Sequence, residues 1–255
     1  VDRAFCESQL FGRFGMTTKV PLIGFDRYVD IEWCRSAFDA AATQQSIEVI
    51  RDQVATMLSG IESQRKTLDV LKRLSTKPFE HMSDFISRGI AIYKRLGQGV
   101  VLPLVWGASI ASYPFFGKTS ETAGRLLALQ GDCSIKELQR RMAEQYGDRS
   151  GVERAVARVL QSQESWLALT RDETAKRVLK LQPVVIDDDE LTAWTIEAAV
   201  RYAGKPVSVP SLQSLPVLFP FTLTRPLAYV VSNSANLILR SEGPSNQFVA
   251  LRSTI

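Results

Sequence analysis

Apolar residues recur at three- and four-residue steps through much of this chain, the spacing of one face of an α-helix. Ile47, Ile50, Val54, Met57 and Leu58 follow it, and Leu68, Leu71 and Leu74 continue it until Pro78, which predicts two amphipathic helices. A further helix is predicted over residues 80–96, with Phe85, Ile86 and Ile92 turned inward and Gly97 and Gly99 separating it from the next segment. Residues 99–116 carry no charge, yet a membrane-spanning helix needs about 20 apolar residues. Pro103, Gly107, Ser109, Ser112 and Pro114 dilute the stretch, so a buried core helix is expected rather than a span. Together these elements predict a helical bundle over residues 26–118. Residues 1–25 have no period and mix Gly12, Gly15, Pro21 and Gly24 with isolated aromatics, the pattern of an extended arm.

The middle of the chain marks its own boundaries. Residues 119–130 place Ala123, Leu126, Leu127 and Gln130 at helical spacing and stop at Gly131. Ser134 and Glu137 form a capping box, in which hydroxyl and carboxylate satisfy backbone amides at a helix start, and Ile135, Leu138 and Met142 supply the apolar stripe. After a turn at residues 147–149, Ser150 and Glu153 form a second box, opening a helix striped by Val152, Ala155, Val156, Val159 and Leu160. Residues 166–170 and 177–182 alternate around a polar turn at 171–174, the pattern of a β-hairpin. Three short helices and a hairpin predict a winged helix over residues 119–182.

The tail repeats this plan in degenerate form. The run Asp187, Asp188, Asp189, Glu190 leads into Leu191, Trp194, Ala198 and Tyr202 on one helical face, ending at Gly204. Short helices at 206–215 and 225–232 and a hairpin of residues 237–240 and 248–251 complete a second winged-helix-like module, over residues 187–255. Pro206, Pro210, Pro216, Pro220 and Pro226 interrupt its helices. The expected fold class is therefore mainly α: an N-terminal helical bundle followed by a winged helix and a winged-helix-like module, each with a short β-hairpin wing.

Composition then removes whole classes of function. The 255 residues are 45% hydrophobic and 23% charged, ordinary values for a globular protein. Cys6, Cys34 and Cys133 are odd in number and form no C-x-x-C pair, so neither a disulfide framework nor a zinc ribbon is expected, and a reducing, cytoplasmic compartment fits. His81 is the sole histidine, which excludes two-His metal sites and the H-E-x-x-H pattern; an exposed or capping role suits it better than a catalytic one. Gly12 to Lys19 lacks the spacing of a phosphate loop. Gly107 to Ala111 approaches G-x-S-x-G, but the only histidine precedes it, and Ser109 is better explained as a small residue permitting close helix packing. The acidic run 187–190 fits the positive end of a helix dipole better than a cation site. No catalytic site, metal, cofactor or small-molecule substrate is expected, and the chain reads as non-enzymatic.

The charge pattern offers one candidate site. Lys and Arg number 31 against 27 Asp and Glu, a net charge of +4. With Val152, Val156 and Val159 inward, Arg154, Arg158 and Gln161 fall on the opposite face of their helix, Arg149 sits at its start, and Arg171, Lys176, Arg177 and Lys180 lie along the hairpin. A recognition helix in the major groove presents Arg and Gln to base edges, while wing cations neutralise phosphates. Arg140 and Arg141 add charge nearby. Asp148, Glu153, Asp172 and Glu173 offset it, a pattern equally that of a solvated face or a protein-docking module. The bundle also interleaves Arg65, Lys66, Lys72 and Arg73 with Leu68 and Leu71.

Residues 65–74 (RKTLDVLKRL), then LPLVWGASIASYPFF and TAGRLLALQG, resemble BrxA-type proteins, small helical DNA-binding accessories of bacterial BREX phage-defence islands. The resemblance spans residues 28–170 and implies a helical, antiterminator-like fold and DNA binding without known catalysis; the tail departs from it. The expected function is that of a non-enzymatic DNA-binding regulator or an accessory subunit of a defence complex, with DNA as partner. The alternative is a structural adaptor that docks a larger enzyme through its winged-helix modules without binding DNA, using residues 216–221 (PVLFPF) as an exposed apolar anchor.

Overall fold

Caps and apolar stripes set the first helices. The computed structural model describes residues 22–147, 150–241 and 247–252, so most of the expected N-terminal arm, Cys6 and the stretch Gly12 to Lys19 lie outside the described residues. Asp30 opens α1 (Ile31–Ala42) by accepting a hydrogen bond from the Glu32 amide at 2.9 Å. A 3-10 turn (Ile47–Ile50), α2 (Arg51–Met57) and α3 (Ile61–Leu74) come next, then α4 (Ser83–Leu96) and α5 (Val101–Ser112). The uncharged stretch is not one helix. Tyr113 interrupts it, and Pro114 begins α6 (Pro114–Gln130) at a first turn whose missing N–H has no intrahelical partner to lose. The segments 98–112 and 114–130 meet at 115°, and no single helix among the described residues is long and apolar enough to cross a membrane. The helix expected from residue 119 therefore starts at Pro114, and the expected boundary at 118 falls inside it.

Residues 114–180 fold as α6, β1 (Asp132–Ser134), α7 (Ile135–Tyr146), α8 (Ser150–Ser165), β2 (Leu169–Asp172) and β3 (Arg177–Lys180). The strands are antiparallel in the order β1-β3-β2. Ser134 caps α7 by accepting from the Glu137 amide, the hydroxyl half of the expected capping box, while the Glu137 carboxylate accepts from Arg140 and Arg141. The hairpin starts later than its alternation suggests: Trp166 is a buried turn residue, and Arg171 belongs to a strand, not to the turn.

The chain then runs through β4 (Val184–Ile186), α9 (Asp189–Ala203), β5 (Val207–Ser208), a 3-10 helix (Val209–Ser214), β6 (Phe221–Leu223), α10 (Leu227–Asn233), β7 (Leu237–Ser241) and β8 (Gln247–Leu251). Its second sheet has the order β5-β8-β7, and the segment runs helix, strand, 3-10 helix, strand, helix and hairpin, so β6 interrupts the order seen in residues 114–180. β4 and β6 pair in parallel as a separate two-stranded sheet. Asp188 caps α9 by accepting from the Leu191 amide at 2.9 Å, which gives the acidic run its helix-start role. The expected helix over 206–215 is instead a strand and a 3-10 helix, consistent with Pro206 and Pro210.

All these elements share one contiguous core. Trp106, in the middle of α5, meets the rings of Phe116 at 5.3 Å, Phe219 at 5.4 Å and Phe221 at 5.9 Å, and its Nε1 donates to the Val217 carbonyl at 2.9 Å. This corrects the reading of residues 216–221 as an exposed anchor, because Val217, Leu218, Phe219 and Phe221 are buried. Gly124 of α6 admits the segment: a Cβ there would lie 2.0 Å from the Pro216 carbonyl oxygen. Trp194 of α9 wedges between α4 and α5, stacked on Phe85 at 4.3 Å and donating from Nε1 to the Phe85 carbonyl at 2.9 Å. Beside it the buried Glu197 accepts a bidentate pair of bonds from Arg88 at 2.7 and 2.8 Å and another from Arg201 at 2.9 Å. Paired in this way, a buried carboxylate is tolerated. Ser109 is fully buried in α5, as close packing requires, while His81 is exposed with its ring stacked on Phe79. Cys34 and Cys133 are buried free thiols.

The Trp194 wedge generates a double-mutant prediction. A Cβ at Gly107 would meet the indole at 2.3 Å. Gly107→Ala should therefore cost about 1–3 kcal/mol by overpacking, and Trp194→Ala about 3–5 kcal/mol by cavity formation. Combining them should cost no more than Trp194→Ala alone, since the clash disappears with the ring. Chemical denaturation of the three variants measures this coupling, and strict additivity would contradict the wedge.

Candidate nucleic-acid interface

The candidate cations are positioned by α8 and the hairpin. Val152, Ala155, Val156, Val159 and Leu160 bury one face of α8, which leaves Glu153, Arg154 and Arg158 exposed and Gly151, Ala157 and Gln161 half-buried. The exposed strip thus carries Glu153 as well as Arg154 and Arg158, and Gln161, expected on the same face, is half-buried towards the bundle. Arg149 lies outside the described residues. Lys176 sits at the hairpin turn with φ of 53°, and Lys180 is exposed at the end of β3. Asp172 stabilises the turn by accepting from the Thr174 and Ala175 amides at 2.9 and 2.8 Å.

Ion pairs hold much of the charge in this region, some at helical spacing and some between residues far apart in sequence. Arg177 of β3 is paired bidentately with Asp132 of β1, 45 residues away. Arg171 is bridged to Glu164 at 2.6 Å and Glu173 at 2.9 Å, and Lys176 approaches Glu173 at 3.5 Å. On α7, Arg140 is bonded to Glu137 and Glu144, and Arg141 to Glu137. Between residues 132 and 180 there are ten Lys and Arg against eight Asp and Glu, so the surface is mixed rather than strongly positive. Exposed pairs of this kind contribute roughly 0–1 kcal/mol each, and a phosphate group can take the place of the carboxylate.

The C-terminal half of α8 is committed elsewhere. The Val29 amide donates to Ser162 Oγ at 2.9 Å, the Ile31 amide to Ser165 Oγ at 3.1 Å, and Trp166 Nε1 to the Val29 carbonyl at 2.9 Å. Residues 29–31 therefore strap this end of the helix to the bundle. Arg158, Gln161 and Arg171 line a cavity of about 480 Å³ at that junction, together with Arg27, Tyr28, Ser63 and Thr67 from the bundle side. Sequence reasoning missed these bundle residues, because nothing in their spacing relates residues 27, 63 and 67 to 158. The candidate set is accordingly divided: Arg154 with the hairpin faces outward, whereas Arg158 spans both environments.

Among the described residues no group of three or more His, Cys, Asp or Glu side chains is placed to hold a metal ion. Burial pushes the Cys133 thiol up to about 12, which disfavours the nucleophilic thiolate. No protein-family model, curated protein or solved structure matches this chain.

The α7 ion pairs predict a measurable titration. Hydrogen bonds from Arg140, then Arg141, hold the Glu137 carboxyl at about 2 against an ordinary value of 4.5, and Arg177 holds Asp132 below its usual range. A depressed folded-state value means that these pairs contribute stability above the unfolded-state pKa, and that the contribution fades as pH falls through the folded-state one. Carboxyl NMR should find Glu137 titrating near 2, and moving towards 4.5 in Arg140→Ala/Arg141→Ala. A wild-type midpoint at the ordinary value would contradict the pairing.

Proposed function

We propose that residues 114–180 form a winged helix that binds duplex DNA, with α8 as recognition helix and the β2–β3 hairpin as wing. The observation that carries this reading is one arrangement: the order helix, strand, helix, helix, hairpin with sheet order β1-β3-β2, and Arg154, Arg158, Lys176 and Lys180 on its outer surface. Gly151 and Ala157 let the α8 backbone approach a groove closely, and the two arginines reach from the same strip to base edges or phosphates. Lys176, Lys180 and, on release of their carboxylates, Arg171 and Arg177 neutralise the phosphate backbone.

In this reading the chain is a DNA-binding regulator or an accessory subunit of a larger complex, with no catalytic step assigned to it. A role in phage defence is supported by the resemblance of residues 65–74, 102–116 and 122–131 alone. The second module favours a protein partner instead. Its α10 exposes Ala228, Tyr229, Ser232 and Asn233, and no cation, so it suits docking better than DNA.

Fluorescence anisotropy with a labelled duplex at several salt concentrations tests the interface. The wild-type affinity should fall steeply with salt. Arg154→Ala/Arg158→Ala should weaken binding by about ten-fold or more and flatten the log–log slope by one to two, at roughly 0.9 for each phosphate no longer neutralised. Asp132→Asn/Glu173→Gln, which frees Arg177 and Lys176 while Arg171 stays bridged to Glu164, should tighten binding and steepen the slope. Unchanged affinity and slope in both variants would overturn the assignment.

A further inference from the structure

The cavity between the bundle and the C-terminal half of α8 has a chemistry of its own. Three guanidinium groups, those of Arg27, Arg158 and Arg171, line it against one carboxylate, Glu164. Arg171 is paired with Glu164, but Arg158 donates from Nη1 to the neutral Gln161 Oε1 at 2.7 Å, which leaves its charge uncompensated by that bond. The Nε of Arg27 is buried without a hydrogen-bond partner, its neighbour Asp26 standing 3.5 Å away. Thr67, fully buried in α3, lines the same cavity, and its Oγ1 is likewise unpartnered. Buried donors are normally satisfied; Arg27 and Arg171 have carboxylates beside them, but two orphans at one cavity that Arg158 also lines call for an acceptor carrying negative charge.

We propose that this cavity binds a phosphate-class anion, the dianionic group shared by inorganic phosphate, a mononucleotide and a 5′-phosphorylated strand end. Arg27 and Arg158 supply charge-assisted donors, and Thr67 Oγ1 supplies a neutral donor deeper in. A volume of about 480 Å³ exceeds what phosphate alone needs and lies in the range of small-molecule sites, leaving room for an organic substituent. Arg27 and Thr67 are no part of the proposed duplex contacts, whereas Arg158 and Arg171 are shared with them, so Arg27 and Thr67 are the residues that tell the two sites apart.

Isothermal titration of the full chain with inorganic phosphate, at low salt in a phosphate-free buffer, tests the proposal. Saturable binding is expected, weakened about ten-fold or more by Arg27→Ala. Thr67→Val should weaken it by several-fold while leaving the melting temperature in phosphate-free buffer unchanged or higher, since a methyl replaces a hydroxyl that has no partner. Arg154→Ala should leave phosphate binding unchanged, which separates this site from the duplex surface. A duplex with 5′-phosphates that binds more tightly than its 5′-hydroxyl form, with the difference lost in Arg27→Ala, identifies a strand end as the source. Equal binding of the two duplexes, with phosphate still bound, identifies a free phosphoester. Absence of phosphate binding up to about 10 mM, or binding indifferent to both Arg27→Ala and Thr67→Val, would overturn it.

Discussion

Trp106 and the rings packed on it hold the two halves of the chain in one body. Phe116 lies across the bend at Tyr113, Trp166 comes from the end of α8, and Phe219 and Phe221 come from the second module, with Phe25 closing over Phe116 and Trp166. Edge-on pairs of this kind add about 0.5–1.5 kcal/mol each beyond the area they bury. Because the rings come from segments far apart in sequence, the bundle, α8 and the tail are locked in mutual position rather than joined by flexible linkers. Trp194 and the Arg88–Glu197 pair make a second lock between α4 and α9 on the same principle.

The lock decides what α8 can do. Trp166 ends this helix inside the ring cluster, and its indole N–H reaches the backbone of Val29, so the C-terminal half of α8 is pressed against the bundle. Its N-terminal half buries Val152, Ala155 and Val156 and exposes Arg154, while Arg171 of the hairpin is bridged to Glu164 in the C-terminal half. One helix is thereby divided between an outward surface carrying Arg154 and an inward arginine-lined cavity. Most wing cations are held by carboxylates of the same module, which fixes their positions in advance. The modest excess of positive charge makes salt, rather than net charge, the sensitive variable for any duplex contact.

Local signals in the sequence were legible where the responsible residues are close together. The Ser134–Glu137 cap, the Asp188 cap, the buried valines of α8 and its exposed arginines all follow from spacing within one helix. The break at Tyr113 was not legible, because an uncharged run has no polar face to show where one helix stops and the next starts. Residues 216–221 were misread for a related reason. An apolar run between prolines looks the same whether it faces water or a tryptophan, and it is Trp106, more than 100 positions earlier, that buries it. The Asp132–Arg177 pair and the cavity shared by Arg27, Thr67 and Arg158 were hidden for want of any local pattern linking them.

The division of α8 is tested most directly by hydrogen–deuterium exchange of the full chain with and without saturating duplex DNA. Protection should appear in the N-terminal half of α8 and in the β2–β3 hairpin, while the already docked C-terminal half and the second module stay unchanged. Protection confined to residues 187–252, or no change anywhere along the chain, would contradict the account.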